Sequence, residues 1–337
     1  MSSASGSRAP WLDLFKVLLV WGMVTAHVIQ LLGFRLGPVA DGFSTFINLL
    51  TFSGFMLAFG IGIGLSRRDG PRSWRTRAWP AVVILTCAWL SGLAFALLVD
   101  RKPVSPELLA DLLSFRVLFG YSEFLASFFV LYVLIALARP WFVRVAERPL
   151  ALAVAIVLCL AATMLTTDQL IPLAGTIIGH RKYASFPLLP YLPWFLVGIR
   201  LGRRDGVVGP ADAGLAVIAS GYFAWSWWRM GFYLPERFPP SVAWVVGPAL
   251  LLLVYLVVSR AVADWRNVPR LLLAPGRHVL AALLLSNLII FTADHLLFKP
   301  ARPLWMALVV AVAILAVVTL WCAAWDHIGA RRRSLSR

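Results

Sequence analysis

About ten stretches of nearly uninterrupted apolar sequence fill this 337-residue chain, and little polar sequence lies between them. A helix crosses a hydrocarbon core of roughly 30 Å with about 20 apolar residues, because each residue advances it by about 1.5 Å. Inside that core the backbone finds no water, so such stretches close their hydrogen bonds internally as helices. Spans are expected at about 11–33, 44–66, 79–99, 121–138, 149–166, 187–201, 212–228, 242–259, 272–296 and 303–326. The pattern predicts an all-α, polytopic integral membrane protein with about ten transmembrane helices. Segment 106–119, PELLADLLSFRVLF, is amphipathic and too short to cross, which puts it at the interface or in a re-entrant turn. Pro190 and Pro193 predict a kink or break in the short sixth span.

Composition agrees: 61% of residues are hydrophobic and only 14% are charged, too few to cover a soluble core. The net charge of +16 suggests nucleic acid at first sight. That partner is excluded, because the basic residues sit in short loops between apolar runs and form no hydrophilic face. Twenty of the 31 Lys and Arg residues fall on one side of the expected topology and ten on the other, with Lys16 inside the first span. The excess predicts cytoplasmic N- and C-termini and an even number of spans. Cys87, Cys159 and Cys322 lie scattered in apolar runs without ligand spacing, so neither a disulfide framework nor a metal site is expected. The chain reads as one membrane domain, 1–337. It has a polar tail at 1–10, a basic tail at 327–337, and a first apolar run retained as a helix.

Ionisable groups inside an apolar helix cost several kcal/mol unless paired or used, so they mark function. The first span holds Asp13, Lys16 and His27. Asp13 and Lys16 are three residues apart and can pair. Lys16 and His27 are eleven apart, about three turns, so they share a face roughly 16 Å apart. A cation near the cytoplasmic end and an imidazole deep in the bilayer suit an anionic cofactor and a proton transfer. The competing reading is an interfacial Asp–Lys anchor with a histidine bonded to a neighbouring helix. Asp294 and His295, and Asp168 and His180, are expected to be solvated at the outer side; His278 is expected at the inner interface. The aromatic run WSWWRMGFYLPERFPPSVAW reads as an interfacial belt.

These residues resemble the membrane acyltransferase-3 superfamily, whose first helix carries Arg or Lys, ten residues, then His. Here Lys16 and His27 supply that motif, in an LDxxK stretch where LDxxR is usual. The likeness continues with Ser53, Gly54 and Phe55 in the second helix and with PRSWRTRAWP, where Arg72 and Arg75 match an Arg-x-x-Arg element and Arg77 competes by its spacing to Pro80. LLPYLPWFLVGIRLG and LAPGRHVLAALLLSNLII resemble the sixth-helix pattern and the start of the penultimate helix. FMLAFGIGIGLSRR and YLPWFLVGIRLG also resemble the heparan-glucosaminide acetyltransferase branch.

The resemblance implies transfer of an acyl group, acetyl being the expected one, from acyl-CoA to a hydroxyl of a cell-envelope carbohydrate or glycolipid. It implies His27 as general base, Glu123 in support, and Lys16, Arg72, Arg75 and Arg77 on the donor's phosphates. Arginine clusters suit phosphates through charge-assisted, bidentate hydrogen bonds. A bacterial inner membrane is the implied location. Two departures stand out: Lys16 replaces the commoner Arg, and Ser286-Asn287 stands where relatives often have a histidine. The rival reading is a transporter or flippase, which the helix count and the intramembrane Lys and His also fit.

Overall fold

Proline stands at the first residue of five helices, where its missing N–H is no loss and its φ is already helical. The computed structural model describes residues 9–33, 37–66, 74–265, 267–297 and 303–335. In order these form α1 (Pro10–Leu32), α2 (Pro38–Leu65), α3 (Trp74–Leu98), α4 (Pro106–Ser114) and α5 (Glu123–Glu147). Then come α6 (Pro149–Ala161), ending in a 3-10 turn, α7 (Ala174–Ile177), α8 (Leu188–Arg203), α9 (Pro210–Arg229) and α10 (Val242–Val246). The last four are α11 (Ala249–Trp265), α12 (Arg270–Arg277), α13 (Val279–Leu296) and α14 (Leu304–Leu335). Among the described residues the fold is all-helical, with only isolated bridges at Thr167/His180 and Arg237/Pro240.

Among the described residues, seven helical stretches are long and apolar enough to cross a bilayer: α1, α2, Ala78–Leu98 of α3, α5, Val242–Trp265, α13, and Leu304–Ile328 of α14. The protein is therefore a multi-pass membrane protein. The three other expected spans fall on α6, α8 and α9. α6 and its 3-10 turn make Pro149–Met164 an apolar but shorter helix, and α8 has 16 residues. The amphipathic segment forms α4, capped by Ser105 Oγ accepting from Leu108 N, with Leu108 and Leu112 buried. The break expected in the sixth span is not there. α8 runs through Pro193, and Pro190 occupies its first turn, where no intrahelical donor is needed. The kink falls instead at Ala138 in α5, two residues before Pro140.

α1 and α2 form the centre, with 67% and 72% of their apolar windows buried, against 28% for α3 and α14. The second central contact is α2 against α8, and glycine makes it possible. A Cβ on Gly60 or Gly64 would collide with the carbonyl oxygens of Phe195 and Ile199, and one on Gly198 or Gly202 with those of Leu57 and Ile61. Two facing small-xxx-small stripes thus bring the helix backbones together, the packing mode that bilayers favour.

One end of the bundle is tied by charge. Asp13 in the first turn of α1 holds Lys16 at 2.8 Å and Arg277 at 3.6 Å. Asp326 of α14 holds Arg277 at 3.1 Å and His278 at 2.9 Å. The start of α1 and the C-terminal part of α14 therefore share one face, called here the basal face.

Candidate functional site

His27 sits on α1 one residue past Ala26 and is buried, 6% exposed. Its Nδ1 lies 3.0 Å from Oδ1 of Asn287 on α13. Asn287 Nδ2 donates to Ser91 Oγ on α3 at 3.1 Å and to the Tyr121 carbonyl at 3.0 Å. A carbonyl only accepts, so that nitrogen is the amide donor and Oδ1 the acceptor. His27 Nδ1 must then donate to Oδ1, which leaves Nε2 as the basic nitrogen. Tyr121 meets the imidazole edge-on at 4.7 Å between ring centroids and fixes its plane. Three helices and a loop thus orient one imidazole.

His27 lines a cavity of about 220 Å³ with Gln30, Asn48, Thr51, Tyr121, Glu123, Arg237 and several aromatic residues. Three polar side chains in this lining hold buried atoms without a hydrogen-bond partner: Glu123 Oε2, Asn48 Nδ2 and Arg237 Nε. Glu123 and Asn48 are 7% and 5% exposed. A buried polar atom without a partner costs about 1–3 kcal/mol, so this lining is built for a polar guest.

A second cavity, about 620 Å³, opens on the basal side. Lys16 and Arg277 supply its charges, and the rest of its wall is mainly apolar, with Trp79, Ile84, Phe59, Phe128 and Leu283 among the lining residues. Met23, Phe55 and Phe124 line both cavities. Lys16 and His27 therefore share one face of α1, but they line two adjoining chambers divided by those three side chains. The stripe Leu12, Lys16, Met23, His27 and Gln30 runs through both.

Of the other expected site residues, Glu123 is the first residue of α5 and faces the histidine cavity, but no hydrogen bond joins it to His27 among the described residues; Asn287 holds the imidazole instead. Arg72 lies outside the described residues. Arg75 and Arg77 fall in the first turn of α3, just ahead of Trp79 and Pro80 in the basal cavity wall. Two residues expected to be solvated are buried: His180 is 1% exposed and Asp294 3%. His180 stacks on Tyr183 at 3.8 Å, and its Nδ1 accepts from Lys182 N. His278 is half-buried against Asp326.

Sequence reasoning counted Arg277 and Arg237 among the topology charges and named neither as a site residue. Arg237 lies in the loop after α9. Its guanidinium rests over Phe238 at 4.5 Å and Phe186 at 5.3 Å. Burial draws it below its ordinary pKa, and the charge of Glu123 opposes that shift. The signal available in sequence was a cation among the aromatic residues that follow α9.

A family model described as heparan-alpha-glucosaminide N-acetyltransferase, catalytic, matches residues 8–207. That stretch carries Lys16, His27 and Glu123 and ends beyond α8; Asn287, Arg237 and Arg277 lie outside it. No curated protein and no solved structure matches the chain.

Proposed function

The chain belongs to the heparan-alpha-glucosaminide N-acetyltransferase catalytic family, and from that premise we propose that it moves an acetyl group from acetyl-CoA to a carbohydrate acceptor, with His27 as general base. The observation that carries the reading is the His27–Asn287 bond. It fixes the tautomer with Nδ1 as donor and leaves Nε2 as the base beside a polar cavity. The acceptor occupies that cavity, and the donor's arm occupies the basal cavity. Lys16, Arg277 and the Arg72, Arg75 and Arg77 segment meet the phosphates of coenzyme A by charge-assisted hydrogen bonds. The apolar wall suits the acyl-pantetheine chain, whose thioester reaches His27 past Met23, Phe55 and Phe124.

The acceptor's hydroxyl or amine attacks the thioester carbonyl while Nε2 takes its proton. The tetrahedral intermediate collapses, the C–S bond breaks, and the thiolate leaves with the proton that His27 returns. A hydroxyl is the acceptor that the first-helix motif implies; the family's name specifies nitrogen. The base has the same task for either. Glu123 and Asn48 contact the acceptor, and Asn287 orients the base. Family membership favours this enzyme over a transporter that uses the same helices.

The reading places acetyl-CoA on the cytoplasmic side, with both termini there and ten spans in all. Its support is geometric. α1 begins and α14 approaches its end on the basal face, which requires an even number of crossings. α8 begins just past Phe186 of the histidine cavity and ends where Gly206 abuts Trp11 on the basal face. Glu147 before α6 is ion-paired to Arg203 at the end of α8. α6, α8 and α9 together bring seven to ten.

The test is His27→Ala in purified membranes with labelled acetyl-CoA and a panel of amino and neutral sugars. Loss of a general base lowers kcat by about 10²–10⁴. Transfer at the native rate removes His27 from the chemistry.

A further inference from the structure

The polar cavity holds more recognition than the transfer chemistry uses. General base catalysis needs Nε2 and a nucleophile; it has no use for a guanidinium in the outer wall. Arg237 is there nonetheless, its guanidinium over the rings of Phe238 and Phe186 and its Nε buried without a partner. Among the described residues no hydrogen bond or ion pair holds the group, and Glu123 in the same cavity also keeps an unpartnered oxygen. A guanidinium donates its hydrogens in its own plane, so the unpartnered Nε–H calls for an acceptor placed there. The Nε–H and the adjacent terminal N–H form a two-donor fork with the spacing of two oxygens on one carboxylate or sulfate.

We propose that Arg237 is the acceptor-selecting residue of the His27 cavity, and that it takes an oxyanion carried by the same sugar end group whose nucleophile faces His27. The proposal rests on the transferase reading and deepens it by naming the acceptor's charge. Glu123 Oε2 accepts a hydroxyl or amine hydrogen of that end group, and Asn48 Nδ2 donates to a ring or hydroxyl oxygen. The three unpartnered atoms are then satisfied by one acidic saccharide. A neutral sugar leaves the guanidinium edge dry and unpaired, which is the stronger half of the discrimination.

The experiment compares three disaccharides on one backbone: one with a uronate, its carboxyl-reduced neutral counterpart, and a sulfated neutral form. Equilibrium binding to the full-length protein in nanodiscs is measured first, then acetyl transfer from labelled acetyl-CoA. Hydrogen bonds to a charged group correspond to about a ten- to hundredfold preference, so the wild type is expected to bind an acidic form that much more tightly than the neutral one. In Arg237→Gln the ratio falls to near one, through acceptor KM more than kcat. Arg237→Lys, which keeps the charge without the fork, retains part of it. The uronate and sulfate arms identify the oxyanion. Equal binding of acidic and neutral forms by the wild type, or an undiminished preference in Arg237→Gln, overturns the proposal. Acidic preference in binding with no acetyl transfer to any sugar leaves Arg237 as the selector and overturns the transferase reading instead.

Discussion

At the scale of single residues, the site is one imidazole with its role set by an amide 260 positions away. Asn287 spends both amide hydrogens on Ser91 and Tyr121, so its oxygen has only His27 Nδ1 to receive from. Asn287→Leu keeps the volume and removes that acceptor. The imidazole then loses its fixed tautomer and its plane, and kcat is expected to fall on the order of 10²-fold, as misplaced catalytic groups do, with the KM for acetyl-CoA nearly unchanged. Steady-state kinetics of the purified variant read this directly, and a native kcat would show that the amide is only packing. Lys16, His27 and their shared face were legible in the sequence because one helix carries them and its period is fixed. Asn287 was visible only as a departure from a resemblance, since nothing local says that α13 packs its amide against α1. Asp294 and His180 were misjudged as solvated for a related reason. Nearness to a helix end or loop suggests water, yet both side chains are enclosed in the folded chain.

At the scale of elements, the α2–α8 contact fixes the helix that supplies much of both cavity walls. Phe52 and Phe55 of α2 line the histidine cavity, and α2 itself is held by backbone contact with α8 through Gly60, Gly64, Gly198 and Gly202. The four-residue spacing of those glycines is plain in the sequence, but spacing alone does not tell which helix faces which. The amphipathic α4 was legible from its own pattern; the kink at Ala138 and the continuity of α8 were not, because a proline's effect depends on how many turns precede it. Gly60→Ala drives a methyl into the Phe195 carbonyl, and overpacking of this kind costs about 1–3 kcal/mol. Gly62, two residues along, has open space where its Cβ would be, so Gly62→Ala is expected to be neutral or stabilising by about 0.5–1 kcal/mol. Tryptophan-fluorescence melts in detergent should separate the pair. Equal melting of the two variants would mean that the helices are not held by backbone contact.

At the scale of the whole molecule, the question is how many times the chain crosses, and a span held by protein instead of lipid escapes a hydropathy count for a physical reason. α8 is buried on α2 along most of its length, so protein, not lipid, satisfies it and it needs neither the length nor the apolarity of a lipid-facing span. α6 has 13 residues and its 3-10 turn three more, and α9 carries Asp212, Ser220 and Ser226 among its aromatics. Of four exposed positions, the ten-span and seven-span arrangements put Asp168, Glu236 and Asp264 on opposite sides, and Asp205 serves as the cytoplasmic control common to both. In the first, Asp168 and Glu236 face outward while Asp205 and Asp264 face the cytoplasm. In the second, α6, α8 and α9 do not cross, so Asp168, Asp205 and Glu236 all stay cytoplasmic and Asp264 emerges outside. Replacing Cys87, Cys159 and Cys322 and placing single cysteines at those four sites allows labelling with a membrane-impermeant maleimide in intact cells. Labelling at 168 and 236, with 205 and 264 protected until the membrane is opened, is the expected result. It would put the Arg237 mouth on the side opposite Lys16 and Arg277, as a donor and an acceptor arriving from different compartments require. Labelling at 264 alone would return the count to seven, separate the termini, and leave the charge cluster of Asp13, Arg277 and Asp326 without a consistent side of the membrane.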